Sequence, residues 1–247
     1  QGNDISKRPD MVSYELLNET FTVPLFDSEN LDHYRKDIKP NLPWADDHFA
    51  ERVCGAPLNP GTQWRHWPWA SSADKHRTDE MFNHTYAERL WPRYAGKIGS
   101  TETVQEAFSR AAKLFDNEPA NRGIRGSYGD LSSLVHKLIR EPHTRQAYIP
   151  LFFPEDTGLD DRMPCTLGYG FIMRNDRLHL YYPLRSCDFV RHWPDDCYLA
   201  IRLLLWVLDE CRKQDTRWER VTPGTYTMHM TSLHVFANDA IAMGIKK

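Results

Sequence analysis

The sequence predicts an α+β fold, a single domain in which a mixed β-sheet packs around one buried central helix. Three patterns lead to this prediction. Helical periodicity dominates the first part of the chain, period-two alternation dominates the rest, and one nearly all-apolar helical segment precedes the last strand pattern. No repeat, low-complexity linker or long run of like charges divides the 247 residues. We therefore expect one domain over residues 1–247.

The chain up to Gln146 begins with a strand pattern and continues with helical patterns. Residues 11–25 are rich in strand-forming side chains. Helices are predicted at residues 46–54, 79–94, 101–117 and 130–140. In the third of these, apolar residues recur at spacings of three and four, which predicts one buried face and one solvated face.

After Gln146 the period changes to that of strands. Strands are predicted at residues 147–153, 167–174, 177–184 and 225–236. The second and third are joined at Asn175-Asp176, a pair typical of a two-residue hairpin. Residues 195–212 are apolar on almost every side and begin with two aspartates, which are favourable at a helix N-terminus. This segment is predicted to be the central buried helix.

Composition excludes several classes of protein. Thirty-one Lys and Arg against thirty-four Asp and Glu give a net charge of −3, so no polybasic surface for nucleic acid is expected. Apolar residues make up 40% of the chain, which excludes a disordered protein. The longest apolar stretch, residues 197–208, is interrupted by Arg202 and is shorter than the roughly 20 apolar residues that cross a bilayer.

The cysteines and the N-terminal residues indicate a cytoplasmic protein. The five cysteines are odd in number and form no CxxC pair, so reduced thiols are expected rather than a disulfide framework. The first ten residues, QGNDISKRPD, lack the apolar segment of a secretory signal. The histidines, among them His66, His84 and His229, have no ligand-like spacing with cysteines or carboxylates, so no metal site is predicted.

Two short motifs carry the predicted chemistry: MPCT at residues 163–166 and PLRSCD at residues 183–188. Cys165 opens one predicted strand and Arg185 closes its neighbour, so the two side chains can meet across the sheet. A neighbouring guanidinium stabilises a thiolate, which lowers the thiol pKa and makes the sulfur a nucleophile. The alternative is that Cys165 is a small hydrophobic core residue.

The order of these motifs resembles the thymidylate synthase superfamily. A PC dipeptide, an RSxD motif, an acidic residue opening a long apolar helix, and the segment SLHVF follow one another as in that family. The most similar branch is that of the pyrimidine nucleotide 5-hydroxymethylases, and the resemblance spans residues 51–238. It implies a thymidylate synthase-like fold, a homodimer, and 5,10-methylenetetrahydrofolate as the one-carbon donor. Cys165 takes the role of the family nucleophile that attacks carbon 6 of a pyrimidine nucleotide.

The resemblance also implies how substrate and folate are held. Arg185 and Ser186 match the residues that bind the nucleotide phosphate, and Asp188 matches an Asp on the folate side. His234 matches a His that meets the sugar 3′-hydroxyl. Two positions later Phe236 replaces the usual Tyr, which removes one hydrogen bond to the sugar and leaves the choice between ribose and deoxyribose open.

Asp196 is the most informative departure from thymidylate synthases, which carry Asn at the matching position. An amide offers a donor and an acceptor to uracil. Cytosine presents an amine donor and a ring-nitrogen acceptor, and one carboxyl group sharing a proton satisfies both. The cytidylate hydroxymethylases likewise carry Asp there, so cytosine is the predicted base. The alternative is that Asp196 only caps its helix.

Three further residues are assigned from looser matches. Glu51 in HFAERVCG resembles the family Glu that orders water and protons over the base, and Tyr128 in GSYGD resembles the Tyr that helps to remove the carbon 5 proton. Arg145 in HTRQAY resembles one of two arginines donated across a dimer interface to the partner's phosphate. The alternatives are a solvated helix position for Glu51 and an ordinary loop aromatic for Tyr128.

The predicted activity is a cytidylate (CMP or dCMP) 5-hydroxymethyltransferase, in which water completes the reaction. Two alternatives stay open: a dUMP methylase or hydroxymethylase, and a noncatalytic nucleotide-binding relative. Only thirteen residues follow His234, so the tail that covers the folate in the family is expected to be missing or supplied by another segment.

Overall fold

The computed structural model describes residues 12–78, 80–93, 128–158 and 162–245. Up to residue 93 its elements are β1 (Ser13–Pro24), α1 (Leu31–Ile38), α2 (Trp44–Arg52), α3 (Ala70–Ala73), β2 (Arg77–Thr78), β3 (Met81–Phe82) and α4 (Tyr86–Leu90). From residue 128 they are α5 (Leu131–Arg140), β4 (Tyr148–Pro150), β5 (Gly168–Arg174), β6 (Arg177–Leu184), β7 (Cys187–Asp188), α6 (Trp193–Gln214), β8 (Thr222–Phe236) and α7 (Ala237–Ala242). Short 3-10 turns lie at Gln63–His66, Asp74–His76, Pro154–Gly158 and Thr216–Trp218.

The main sheet has the order β1-β8-β6-β5-β4, with β7 also paired to β8. β6 and β7 run parallel to β8, whereas the β1/β8, β6/β5 and β5/β4 pairs are antiparallel. The predicted mixed sheet is thus confirmed. The hairpin between β5 and β6 turns at Asn175 and Asp176, whose φ angles of 51° and 55° are those of a tight two-residue turn.

Helix α6 is the centre of the core, as its sequence predicted. Pro194 lies in its first turn, where its missing N–H breaks no helical hydrogen bond, and Asp195 and Asp196 follow it there. The helix contacts α1, α2 and α5 as well as β6 and β8. Because it is enclosed by helices and sheet together, its apolar residues are buried on more than one face.

The helical predictions have mixed outcomes. Residues 46–54 and 130–140 correspond to α2 and α5, and the Asp130 side chain caps α5 by accepting from the Ser133 N–H at 2.9 Å. Segment 101–117 lies outside the described residues. The sequence pattern did not predict α1, which begins after Asn30, whose side chain caps it.

The helix predicted at 79–94 is wrong for most of its described part, which forms β3, a turn and the short α4. Two contacts explain the difference. The Asn59 side chain accepts from the Phe82 N–H at 2.9 Å and holds that residue extended. Thr85 and Glu88 then form a reciprocal capping box, so α4 begins at Tyr86. Asn59 lies outside this segment, and the hydrophobic periodicity within the segment cannot predict a contact with it.

A buried ion pair ties α4 to the loop that follows β4. Arg89 Nη2 donates to Asp156 Oδ1 at 2.6 Å, Nη1 donates to the other carboxylate oxygen, and both side chains are at most 4% exposed. Burial alone would raise the pKa of Asp156, but the Arg89 hydrogen bonds lower it overall. Asp156 and Arg89 are therefore both charged although both side chains are buried.

Replacing Asp156 by Asn is expected to lower the free energy of unfolding by about 3–5 kcal/mol, because the Arg89 charge would stay buried without a counter-ion. Urea denaturation followed by circular dichroism measures this change. The matched control is Asp209→Asn, which breaks the exposed pair with Lys213 and should cost about 0–1 kcal/mol. Equal losses in the two variants would contradict the buried-pair interpretation.

Candidate active site

A cavity of about 450 Å³ opens between α2, the turn at residues 63–67, the junction of β6 and β7, and the first turn of α6. Six residues predicted from the sequence line it: Cys165, Arg185, Ser186, Asp188, Asp196 and His234. The two motifs that carried the predicted chemistry therefore meet in one place, although the chain between them forms a whole β-hairpin.

Arg185 holds the loop that carries Cys165. Its backbone N–H donates to the Cys165 carbonyl at 2.9 Å, and its guanidinium donates to the carbonyls of Pro164 and Met163 at 2.8 and 2.9 Å. Burial raises the pKa of the Cys165 thiol and outweighs the lowering by Arg185. The expected lowered pKa is thus not found: the guanidinium is in place, but removing the sulfur from water is the larger effect.

The strand pairing explains why Arg185 and Ser186 point into the cavity. Both lie where the pairing of β6 with β8 ends and that of β7 begins, so they belong to neither strand. The Ser186 hydroxyl lies 3.4 Å from His234 Nδ1. Asp188 pairs with His234 across the β7/β8 register and accepts backbone N–H groups of Val190 and Arg191, both at 3.0 Å. Asp188 therefore shapes the turn that leads into α6.

Asp196 does not cap its helix. Its Oδ1 accepts from the Tyr182 hydroxyl at 3.3 Å, and its Oδ2 lies 3.9 Å from Cys187 Sγ. Burial raises its pKa to about 7, with Arg52 opposing the rise. The neighbouring Asp195 makes different contacts: its two carboxylate oxygens accept from the backbone N–H and the side-chain amide of Asn41, each at 2.7 Å. Asp196 is therefore a carboxyl group that can carry a proton near neutral pH inside the cavity.

Three predicted residues do not line the cavity. Glu51 Oε1 accepts from the backbone N–H groups of Thr62 and Gln63 at 2.6 and 3.0 Å. Gly61, with φ of 71°, lets this carboxylate approach, because a Cβ there would lie 2.3 Å from Glu51 Oε2. Tyr128 packs edge-on against Phe153, with the ring centroids 5.2 Å apart, and Arg145 is exposed. The roles assigned to these residues stay predictions.

Sequence reasoning missed a buried polar group beside Asp196. Arg52 on α2 is 4% exposed and donates from Nη1 to the Tyr169 hydroxyl at 3.0 Å. Its guanidinium carbon lies 4.4 Å from the centre of the Tyr86 ring, and its Nε donates to His48 Nε2 at 3.2 Å. Tyr169 lies on β5, and nothing in the local sequence marked Arg52 as a buried residue.

Tyr86 lies beside the nucleophile candidate. Its hydroxyl accepts from the backbone N–H of Thr166, the residue after Cys165, at 3.3 Å. Burial raises the Tyr86 pKa, and the nearby Cys165 charge raises it further. Tyr86 is therefore the tyrosine that the fold brings next to the sulfur, in contrast to Tyr128.

Aromatic rings form another wall of the cavity. Trp44 stacks on Trp67 with centroids 5.9 Å apart, and Trp67 stacks on His192 at 5.6 Å. Gln63 accepts from the Trp44 indole N–H at 2.5 Å, and Glu51 fixes the backbone at Gln63. These flat faces suit a planar heterocycle. Within the described part of the chain no cluster of metal-ligand side chains occurs and no helix could cross a membrane.

Three known proteins with similar sequences are named as thymidylate synthases or as a hydroxymethyltransferase. No family model matches the chain. It is 27% identical over 162 residues to a "Putative thymidylate synthase" of Methanococcoides burtonii, covering 65% of this chain and 66% of that protein. A protein of the same name from Methanosarcina barkeri is 28% identical over 66% of this chain and 69% of the relative. A "Deoxyuridylate hydroxymethyltransferase" of Bacillus phage SP01 is 29% identical over 53% of this chain, but only 33% of that protein is covered.

The fold is also that of a solved enzyme. The thermostable thymidylate synthase A from Bacillus subtilis superposes with a TM-score of 0.60 over 95% of this chain and 71% of that chain, at 14% identity. The matches span about two thirds of the archaeal relatives and one third of the phage protein. The names of these relatives are consistent with a one-carbon transferase. The chain has a thymidylate synthase-like fold, and its sequence is similar to those of proteins named as putative thymidylate synthases.

Proposed function

We propose that this chain is a cytidylate (CMP or dCMP) 5-hydroxymethyltransferase that uses 5,10-methylenetetrahydrofolate. One observation carries the proposal: Cys165, Arg185 and Asp196 line the same cavity. A nucleophile for carbon 6, a cation and a base-reading carboxyl are thereby available to one pyrimidine nucleotide. The relatives named as synthases and as a hydroxymethyltransferase support the reaction class.

The chemistry begins with the sulfur. Cys165 Sγ, as the thiolate, adds to carbon 6, and the ring electrons move to carbon 5, which becomes nucleophilic. When bound, 5,10-methylenetetrahydrofolate supplies the one-carbon unit that carbon 5 takes up. Trp44, Trp67 and His192 would hold its ring system, since their stacked faces border the cavity. Arg185 steadies the negative charge at the sulfur.

Proton transfer and water addition complete the proposed reaction. Tyr86 moves the carbon 5 proton in place of Tyr128. Its hydroxyl contacts the backbone N–H of Thr166, the residue that follows the nucleophile Cys165. Loss of the carbon 5 proton breaks the bond between the transferred carbon and tetrahydrofolate, which leaves, and an exocyclic methylene group remains at carbon 5. Water adds to that methylene group to give the hydroxymethyl group, and the Cys165–carbon 6 bond breaks. Glu51 supports this step indirectly, because it positions the aromatic wall through Thr62 and Gln63.

The remaining contacts concern the sugar, the phosphate and a second subunit. Ser186 and Arg185 bind the phosphate, His234 meets the sugar, and Asp188 lies on the folate side.

We also propose a homodimer in which Arg145 reaches the partner's phosphate. The outward face of the sheet, with half-exposed Tyr148, Ile172 and Tyr181, supplies apolar surface for it. Sedimentation of a monomer would contradict the dimer without affecting the chemistry.

A second candidate is a uridylate hydroxymethylase. The phage relative is named for deoxyuridylate, and a neutral Asp196 can donate to the uracil 4-oxygen while accepting from its ring N–H. This candidate uses the same nucleophile and the same folate and differs only in the base. The two candidates differ in whether Asp196 hydrogen-bonds to nitrogen 3 and the 4-amine of cytosine or to nitrogen 3 and the 4-oxygen of uracil.

Mass analysis of the products tests the proposal. Purified protein is incubated with 5,10-methylenetetrahydrofolate and with CMP, dCMP or dUMP separately. We expect a gain of one CH₂O unit on a cytidine nucleotide. A gain on dUMP alone would favour the second candidate, and a gain of one CH₂ unit would indicate a methylase. No product from any of the three nucleotides would overturn the enzymatic proposal and leave a noncatalytic nucleotide-binding relative.

A further inference from the structure

A buried ring nitrogen without a hydrogen-bond partner lies in the wall of the cavity, on His48 of α2. His48 lines the cavity, and its Nε2 lies 3.2 Å from Arg52 Nε and 3.0 Å from Arg52 Nη2. Its other ring nitrogen, Nδ1, is buried and has no partner among the described residues. One nitrogen of the imidazole is therefore occupied by Arg52 and the other is unpaired.

The contact with Arg52 decides which nitrogen of His48 carries the hydrogen. A guanidinium has donors and no acceptor, so Nε2 can only accept from it. Burial lowers the pKa of His48 well below its ordinary value, and the charges of Arg52 and Arg162 lower it further. A neutral imidazole that accepts at one nitrogen carries its hydrogen on the other. Nδ1 of His48 is therefore an N–H donor.

A buried N–H donor without an acceptor is costly to keep. Leaving such a group unpaired costs about 1–3 kcal/mol, and most buried polar groups of native proteins have a partner. His84, which also lines the cavity, follows this rule, since its Nδ1 lies 3.1 Å from the Asn83 side-chain oxygen. Because His48 borders the cavity, we expect its acceptor to come from the molecules that the cavity binds.

The neighbours of His48 indicate which part of the reaction its donor is near. The imidazole stacks on Trp44, with ring centroids 5.0 Å apart at 21°, so it continues the aromatic wall proposed to hold the folate. Its centroid also lies 6.2 Å from that of Tyr86, the residue proposed to move the carbon 5 proton. In the proposed complex, His48 is therefore close to both the folate ring and the carbon 5 substituent.

We propose that His48 is a catalytic residue whose Nδ1–H binds the oxygen of the water that adds to the exocyclic methylene group. The inference rests on the proposed function, since a methylase needs no such water. The water oxygen forms a bond to the methylene carbon, and the electron pair of the exocyclic double bond moves into the ring. The double bond between carbons 5 and 6 is restored as the Cys165–carbon 6 bond breaks. One water proton ends on the departing sulfur, and His48 keeps its hydrogen throughout.

A neutral N–H donor suits this task. It engages one lone pair of the water oxygen and leaves the second lone pair for the methylene carbon. Glu51, to which the sequence assigned the ordering of water, has its carboxylate bound to the backbone at residues 62 and 63 and does not line the cavity. His48 lies three residues earlier in the same helix and does line it, so the ordering of the water is assigned to His48.

Two variants separate this role from the contact with Arg52. His48→Gln keeps an acceptor near the position of Nε2 but has no donor at Nδ1, whereas His48→Asn keeps a donor near Nδ1 and loses Nε2. Each protein is incubated with a cytidine nucleotide, 5,10-methylenetetrahydrofolate and a fixed concentration of β-mercaptoethanol. The thiol competes with water for the methylene group and gives a thioether in place of the hydroxymethyl product. Mass analysis measures the ratio of thioether to hydroxymethyl product, which does not depend on the fraction of folded protein.

We expect His48→Gln to raise this ratio at least about tenfold, because the water loses its donor. His48→Asn should stay near the wild-type ratio. His84→Gln is the matched control, since His84 lines the same cavity but its Nδ1 already has a partner in Asn83. It should leave the ratio unchanged.

The outcomes separate this inference from the proposed function. A wild-type ratio in His48→Gln, or equal increases in both His48 variants, would overturn the role of Nδ1 and leave the proposed function standing. Nitrogen-15 NMR of histidine-labelled protein that placed the hydrogen of His48 on Nε2 would do the same. If wild-type protein formed neither the hydroxymethyl product nor the thioether, the proposed function itself would be overturned, and the water assigned to His48 with it.

Discussion

Replacing Cys165 by alanine is expected to lower the release of tritium from carbon 5 of labelled dCMP or dUMP by at least about 10⁴-fold. Without the sulfur no bond forms at carbon 6, and carbon 5 never gains the electron density needed to take up the one-carbon unit. The wild-type sulfur lies in the cavity with Arg185 bound to its loop. The measurement is tritium release in the presence of 5,10-methylenetetrahydrofolate.

Cys54→Ala is the control for this result. Cys54 is also a half-buried free thiol, but its Sγ donates to the Ala56 carbonyl and does not line the cavity. It should retain wild-type rates. Exchange that survives in Cys165→Ala would exclude the covalent route through this sulfur and point to another nucleophile.

Asp196→Asn is expected to reverse the base preference, changing the ratio of kcat/KM for dCMP and dUMP by about 10²-fold or more. A site built to hydrogen-bond one polar edge rejects the other by such factors, because mismatched buried groups stay unpaired. The amide has a fixed donor and a fixed acceptor, and it cannot share a proton with cytosine as the carboxyl group does. Steady-state rates with each nucleotide measure the ratio.

The pH dependence of binding supplies an independent check of the same variant. The folded-state pKa of Asp196 is raised from 3.8 to about 7, so the neutral acid is present below pH 7 and is lost as the pH rises through that value. Cytidylate binding to Cys165→Ala protein should therefore weaken above pH 7. In the double variant with Asp196→Asn this step should vanish, since an amide does not titrate.

Asp195→Asn is the matched control, with the same chemical change one residue earlier in α6. Both oxygens of Asp195 accept from Asn41, so the variant should lose stability while keeping its base preference. A reversal of preference in Asp195→Asn, or its absence in Asp196→Asn, would show that Asp196 is not the base-reading group.

Much of this site could be predicted from local sequence. The hairpin at Asn175-Asp176 and the buried helix were correctly predicted, because turn chemistry and periodicity act over a few residues. With those two elements in place, the strand that Cys165 opens and the one that Arg185 closes must be neighbours. That is why six site residues named from the sequence line one cavity.

Other features depended on contacts between distant segments. The sequence motif pointed to Tyr128, yet the fold brings Tyr86 beside Cys165, because the contact of Asn59 with Phe82 keeps the segment before α4 extended. Glu51 stands on the predicted helix, but Gly61 lets its carboxylate bind the backbone at residues 62 and 63.

The amino-acid sequence by itself determined five strands of the main sheet (β1, β4, β5, β6 and β8), the central helix and the order of the chemical motifs. Only the tertiary structure decided that Arg52, Tyr169 and Tyr182 would pack together behind Asp196. The physical reason is that periodicity records which face of an element is buried, but not which residue of another element it will meet. Whether a buried polar side chain has a partner depends on how α2, β5, β6 and α6 pack together.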